Sequence, residues 1–290
     1  MIARRTLLGA GVLALLPRPL FAQGAKLSFG GSADQGGLVI GRAPAGAKVT
    51  VDDTPVLVSP EGTFAFGLAY DRMKPVLVAA AFADGTRETA EVAAKPRRYE
   101  EQAINGLPEE YVAPPPEIAA RIAREHEAIW NARKAESEGV GFAEPLEWPF
   151  AGIVTGLYGS RRILDGKPMA PHLGIDIAAP IGTEIHAAAD GTVAICDDYF
   201  IEGGFTLLDH GHGVATCYLH QSKRLVSAGQ KIARGAVIGL VGRTGRATGP
   251  HTHWGLSWFQ LKLDPSRAAR TPAPPPAPPE PPAPPEPPAP

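Results

Sequence analysis

The residues best suited to chemistry in this sequence form two histidine clusters in its second half. His172 and Asp176 are four residues apart, a spacing that places both side chains on one face of a strand or a helix. His251 and His253 follow a Gly-Pro turn sequence, and their alternation predicts two imidazoles on one face of a strand. Zinc prefers imidazole and carboxylate ligands, and three of them leave a fourth position open to water. The clusters therefore predict a hydrolytic metal site.

A second histidine pair competes for this role. His210 and His212 flank Gly211, and the glycines around them favour a tight turn between two strands. Spacing alone does not separate this pair from His251 and His253, since either pair could bind a metal or lie in solvent.

Three further histidines lie outside these clusters. His220 ends a strand-like run between the clusters and remains a candidate for the site. His186 lies within another strand-like run, where a structural role is expected. His126 falls on an apolar helical stripe, where a packed or half-exposed histidine is more common than a metal ligand.

The elements that position these residues predict a mainly β fold. Short apolar runs separated by turn signals predict a small β-sandwich-like module over residues 26–96. A linker over residues 97–144 contains an amphipathic helix, predicted at 117–138, that docks on a neighbour. Strand-like runs punctuated by glycine predict an antiparallel β domain, with boundaries at 145–268, that carries the histidine clusters.

The two ends of the sequence predict export and disorder. Basic residues, a short apolar run and small residues over positions 1–24 are typical of a signal peptide. We therefore expect an exported protein with no transmembrane segment after signal cleavage. Residues 271–290 contain only Thr, Pro, Ala and Glu, which predicts a disordered tail that could bind a protein partner.

Charge and cysteine content narrow the function further. The net charge of −2 argues against a nucleic acid partner. Only Cys196 and Cys217 occur, and a strand is predicted between their two strands, so we expect two unpaired thiols.

Five sequence blocks, in this order, resemble the LytM/lysostaphin-like zinc metallopeptidases, whose catalytic domain has the duplicated hybrid motif fold. They are distributed over nearly all of residues 150–265: GLYGSR at 156–161, PHLGIDIAAPIGT at 171–183, ADGTV at 189–193, YLH at 218–220 and GRATGPHTHW at 245–254. The resemblance implies one Zn²⁺ per chain, held by His172, Asp176 and His253. It also implies that His220 and His251 are catalytic without binding the metal, and it places His210 and His212 in a turn.

The resemblance implies an endopeptidase that hydrolyses the peptide cross-links or stems of cell-wall peptidoglycan. It also implies a periplasmic or cell-envelope location, with a Gram-negative source favoured, and a cell-wall protein as the partner that the tail could bind. Water activated by zinc would attack the peptide bond with the help of His220 and His251, because the sequence has no His-Glu-x-x-His helix to supply a glutamate base. The alternative is a non-catalytic LytM-type adaptor that activates cell-wall amidases. Such adaptors have lost zinc ligands, whereas all five polar residues are present here.

Overall fold

The computed structural model describes residues 25–104, 114–164, 167–168 and 170–270. The predicted signal peptide and Pro-rich tail lie outside these residues. Within them the chain is mostly β, with two short sandwiched sheets followed by a larger β domain, which confirms the predicted fold class.

The N-terminal module is a sandwich of two antiparallel sheets. Inward side chains alternate along its strands; Val76, Val78 and Ala80 on one strand are buried while their neighbours are more exposed. These side chains pack against Phe64 and Phe66 of the other sheet. The first sheet has the order β1-β2-β5 and the second β4-β3-β6-β7, with bounds β1 (Ser28–Gly31), β2 (Leu38–Arg42), β3 (Lys48–Val51), β4 (Thr54–Val56), β5 (Thr63–Gly67), β6 (Val76–Ala81) and β7 (Arg87–Val92).

The C-terminal domain is built on an eight-stranded antiparallel sheet. Successive side chains along its long strands point alternately to the core and to the opposite face of the sheet. We call this opposite face the groove face, because it carries the histidine clusters. Its order is β18-β14-β15-β16-β20-β12-β9, with β21 also paired to β20. The bounds are β9 (Ile153–Gly156), β12 (Ile175–Ala178), β14 (Gly191–Tyr199), β15 (Gly203–Gly211), β16 (Val214–Gln221), β18 (Lys231–Ile232), β20 (His251–Trp258) and β21 (Leu261–Leu263).

Two small sheets complete this domain. Tyr218 and Trp254 on the core face pack with Ile185 and Ile238 of a three-stranded sheet, and all four side chains are almost fully buried. That sheet has the order β13-β19-β17, with β13 (Glu184–His186), β17 (Lys223–Arg224) and β19 (Val237–Leu240). The other sheet has the order β11-β10-β8, with β8 (Glu101–Ile104), β10 (Arg161–Leu164) and β11 (Lys167–Pro168). Strand β8 therefore lies in the predicted linker and pairs with the later domain, which the sequence did not suggest.

The connecting helix α1 (Pro116–Ala132) lies on the groove face. Ile129 is its buried anchor and packs against Phe205 and Cys217 of the sheet. The helix was predicted to reach residue 138, and this boundary was wrong. Beyond the helix the chain runs to the turn between β15 and β16, where the His212 amide donates to the Ser137 carbonyl at 2.9 Å.

A buried aspartate joins the N-terminal module to the C-terminal domain. Asp264 forms an ion pair with Arg97 at 2.8 Å, and its amide donates to the Gly36 carbonyl. The same carboxylate accepts from the Ser266 amide and caps the short helix α2 (Pro265–Ala268). Each oxygen of Asp264 therefore has a partner, as a buried charge requires.

Two further observations concern the cysteines and the membrane. Cys196 and Cys217 are both free thiols, with β15 between their strands, as predicted. Among the described residues, no helix has the length and apolar character needed to cross a membrane.

Candidate metal and catalytic site

Three side chains on the groove face bring their ligand atoms to one point. The His172 Nε2 atom lies 2.8 Å from His253 Nδ1 and 3.0 Å from Asp176 Oδ1. His253 Nδ1 lies 2.9 Å from the same carboxylate oxygen. These three residues form a group of His and Asp side chains that could hold a metal ion.

The backbone explains how distant residues meet. Asp176 on β12 stands directly opposite His253 on β20 in an antiparallel register, so their side chains share a face. His172 lies in the loop before β12 instead of on a continuous strand with Asp176. The predicted proximity of His172 and Asp176 is therefore correct, but a loop produces it and strand alternation does not.

Two glycines make room for these side chains. A Cβ atom at Gly174 would lie 2.3 Å from His253 Nε2, and a Cβ atom at Gly156 would lie 2.5 Å from Asp176 Oδ2. Neither distance is compatible with a side chain, so both positions require glycine if the ligands keep these places.

Hydrogen bonds orient the first histidine. His172 Nδ1 donates to the Leu157 carbonyl at 3.1 Å, which leaves Nε2 to face the cluster. Burial disfavours the charged form of Asp176, but its close contacts with His172 and His253 outweigh it and hold the pKa of this carboxyl well below its usual range. An ionised carboxylate is the form that binds a cation.

The donor set fits one zinc ion. Ligand atoms of a tetrahedral zinc with bonds of 2.0–2.1 Å are about 3.3 Å apart. The three observed separations, 2.8 to 3.0 Å, require each ligand atom to move by only a few tenths of an ångström. Two imidazoles and one carboxylate are also a known ligand set for catalytic zinc.

A second pair of histidines faces this cluster. The rings of His220 and His251 lie 4.7 Å apart between centroids, and His251 Nε2 lies 3.9 Å from Asp176 Oδ1. His220 Nδ1 donates to the Thr244 carbonyl and His251 Nδ1 to the Gly249 carbonyl, each at 2.8 Å. Because a carbonyl only accepts, each ring keeps its proton on Nδ1 and presents a free Nε2 lone pair.

His220 is held neutral by its surroundings. Burial lowers its pKa to about 3, and electrostatic interactions with His251 and His253 act in the same direction. The residue has φ of 66°, so the backbone itself is constrained at this position. A neutral imidazole keeps the Nε2 lone pair that a hydrogen-bond or proton acceptor needs.

All five of these residues line one cavity of about 760 Å³. Helix α1 forms one wall through His126, Ile129 and Trp130. His126 is half-exposed, as expected from the sequence, but it also pairs with Glu202 at 3.3 Å inside this cavity. The sequence analysis predicted a helix that docks on a neighbour but did not predict that it borders the site.

The remaining histidines lie elsewhere. His210 is buried and bonded at both ring nitrogens, to the Asp190 carbonyl and to Thr216 Oγ1, each at 2.7 Å. His212 occupies the turn after β15 with φ of 50° and packs on Phe142. His186 on β13 bonds to the Gly235 carbonyl. None of the three lines the cavity around His172 and His253.

Comparisons with known proteins agree on one family. Residues 170–265 match the model described as Peptidase family M23. Over 90 residues the chain is 48% identical to the peptidoglycan DD-endopeptidase ShyA of Vibrio cholerae serotype O1, covering 31% of this chain and 21% of that protein. Over 124 residues it is 36% identical to ShyB of the same organism, covering 43% of this chain and 29% of that protein. The matched segments thus span less than a third of these curated relatives.

A solved structure is similar over a longer stretch. The crystal structure of a Pseudomonas aeruginosa protein assigned to the M23 peptidases is 30% identical, with a TM-score of 0.61. The match covers 81% of this chain and 94% of that one, so it includes residues outside the domain that carries the histidine clusters.

Proposed function

Because the chain belongs to peptidase family M23, we propose that it is a zinc-dependent endopeptidase that hydrolyses peptide bonds in cell-wall peptidoglycan. The observation that carries the proposal is the convergence of His172 Nε2, Asp176 Oδ1 and His253 Nδ1 within 3.0 Å of one another. The relatives named as peptidoglycan DD-endopeptidases support the substrate class. An exported, envelope location follows from that substrate.

The proposed roles divide the five residues into two groups. His172, Asp176 and His253 would hold the zinc ion. Bound zinc supplies a Lewis acid that polarises the scissile carbonyl and lowers the pKa of water toward about 7.

His220 and His251 would handle protons. Their Nε2 lone pairs face the cluster, so either ring can accept a proton from the attacking water and return it to the leaving amine. A protonated ring can also donate a hydrogen bond to the oxyanion that develops on the carbonyl. The Thr244 and Gly249 carbonyls hold the rings in the tautomer that these steps require.

The groove suits an extended peptide. Strands β12, β16 and β20 form its floor, and α1 with the loop at residues 246–251 forms its walls. Both walls line the same cavity as His172, His220 and His251.

The experiment that tests this function uses the full chain and purified peptidoglycan. We expect about one zinc ion per chain by metal analysis and release of soluble muropeptides. Removal of zinc with a chelator should stop the release, and added Zn²⁺ should restore it. The second candidate, an adaptor that activates amidases, predicts bound zinc without cleavage of any peptidoglycan preparation and increased release when an amidase is added.

A further inference from the structure

Two cations border the same cavity away from the metal ligands. Arg133, the first residue after α1, is only 6% exposed, and Lys262 on β21 is half-buried. Both side chains line the cavity that contains His172 and His253. Neither cation is needed for the zinc chemistry proposed above.

The two cations lack adequate partners within the described part of the chain. The Arg133 Nε atom is buried with no hydrogen-bond partner, and its guanidinium makes only a weak contact of 3.7 Å from Nη2 to Cys217 Sγ. Lys262 makes no ion pair or side-chain hydrogen bond among these residues. Unpaired buried charge is costly, and a ligand that supplies the missing partner is one reason for a protein to retain it.

One carboxylate lies nearby but is already engaged. Glu202 lines the cavity, and its Oε1 pairs with His126 Nε2 at 3.3 Å. Its Oε2 is buried without a partner in the described residues. Two cations and one carboxylate in this cavity leave an excess of positive charge there. Burial lowers the pKa of Lys262 to about 8, and the charge of Arg133 adds to this, which agrees with an incomplete neutralisation.

The cations lie along the groove from the metal ligands. Lys262 stands directly opposite Ser257 on β20, and Ser257 lies four residues beyond His253. Because paired residues, and residues an even number apart on a strand, share a face, Lys262 lies on the groove face with His253. At about 3.4 Å per residue, Lys262 lies at most roughly 14 Å along the strand from His253. An extended peptide covers this distance with about four residues.

We propose that Arg133 and Lys262 form a subsite for a carboxylate carried by the peptide substrate, a few residues from the scissile bond. The inference rests on the proposed peptidase function and adds to it a preference for acidic peptides. A carboxylate in this subsite would accept hydrogen bonds from the Arg133 guanidinium and the Lys262 ammonium.

The test removes the charge from the protein side chains in one set of measurements and from the peptide carboxylates in another. We would assay full-length Lys262→Met, Arg133→Met and Lys262→Arg on two synthetic cross-linked stem peptides that differ only in whether their carboxylates are free or amidated. Lys231→Met, an exposed lysine on β18 outside the cavity, is the matched control. For the free acid, kcat/KM should fall at least about tenfold in both Met variants, mostly through KM, and Lys262→Arg should restore most of it.

The amidated peptide supplies the contrast. Its kcat/KM should already be low in the parent protein, because amidation removes the carboxylate that Arg133 and Lys262 would bind. The Met variants should then change kcat/KM by less than about twofold. Equal losses on both peptides, or no loss on either, would overturn the subsite.

Failure of the peptidase function would be recognised separately. If the parent cleaves neither peptide nor peptidoglycan, binding of the same two peptides to zinc-free protein is measured by calorimetry. Tighter binding of the free acid, lost in Lys262→Met and kept in Lys231→Met, would support the subsite even then. Equal binding of acid and amide would reject it.

Discussion

Asp176 and His253 face each other across adjacent antiparallel strands, with the carboxylate Oδ1 atom 2.9 Å from the imidazole Nδ1 atom. The two residues are far apart in sequence, so the register of β12 against β20 creates this contact. His172 reaches the same oxygen from a loop. The proposed ligands therefore depend on two parts of the backbone, the β12–β20 register and the loop before β12.

Asp176→Ala and His253→Ala should each abolish zinc retention. Removal of one of three ligands leaves two, which is too few for a tightly held zinc. Metal analysis of the purified variants after dialysis measures the effect, with Lys231→Met carried through the same steps. Zinc content near one per chain in either Ala variant would show that the ligands are assigned wrongly.

His251→Ala should separate metal binding from catalysis. His251 Nε2 lies 3.9 Å from Asp176 Oδ1, and the ring has the tautomer that proton transfer needs. Because His251 is not one of the three proposed ligands, we expect zinc to stay bound while kcat falls about 10²–10⁴-fold. Parallel zinc and muropeptide-release measurements check this. An empty site in His251→Ala would make this residue a ligand instead.

Gly174→Ala should weaken zinc binding without altering any ligand. The added methyl group would lie 2.3 Å from His253 Nε2 and push the ring away from Asp176. We expect zinc affinity to fall about 10–100-fold, as for changes that misorient a ligand. Gly30→Ala, where the nearest atom is 4.0 Å away, is the matched control. Competition with a zinc-binding dye measures both affinities, and unchanged affinity in Gly174→Ala would contradict the geometry.

Lys262→Met should stabilise the protein at neutral pH. The pKa of Lys262 falls from 10.5 to about 8 on folding, so protonation is harder in the folded chain than in the unfolded one. The resulting cost is full below about pH 8, shrinks as pH rises toward 10.5, and is absent above it. We expect Lys262→Met to exceed the parent by about 1–3 kcal/mol in unfolding free energy at pH 7.

The difference should approach zero near pH 10.5. Denaturant unfolding of parent, Lys262→Met and Lys231→Met at pH 7 and pH 10 follows the change. A loss of stability in Lys262→Met at pH 7 would mean that the lysine serves the fold instead of a ligand.

Local sequence patterns predicted much of this protein correctly. The alternation of Val76, Val78 and Ala80 shows in the sequence because a half-buried strand needs apolar residues at every second position. The blocks around His172 and His253 indicated the family, since a metal site requires particular ligand types in a particular order. The unpaired state of Cys196 and Cys217 followed from strand order alone.

The end of helix α1 was less predictable. Residues 133–138 are compatible with a helix by composition, yet the chain turns there to bond with the β15–β16 turn through Ser137. Tertiary contacts outweigh helix propensity, which differs by less than about 1 kcal/mol per residue among ordinary side chains.

The sequence by itself determined which donor groups are available and the short spacings that keep neighbours such as His172 and Asp176 together. Only the tertiary structure decided that His210 is bonded within the fold while His251 faces the cluster, and that Arg133 and Lys262 share one cavity with it. The reason is physical. Periodicity reports which face a side chain takes on its own element, whereas contacts between distant elements depend on strand register and packing that no local pattern encodes.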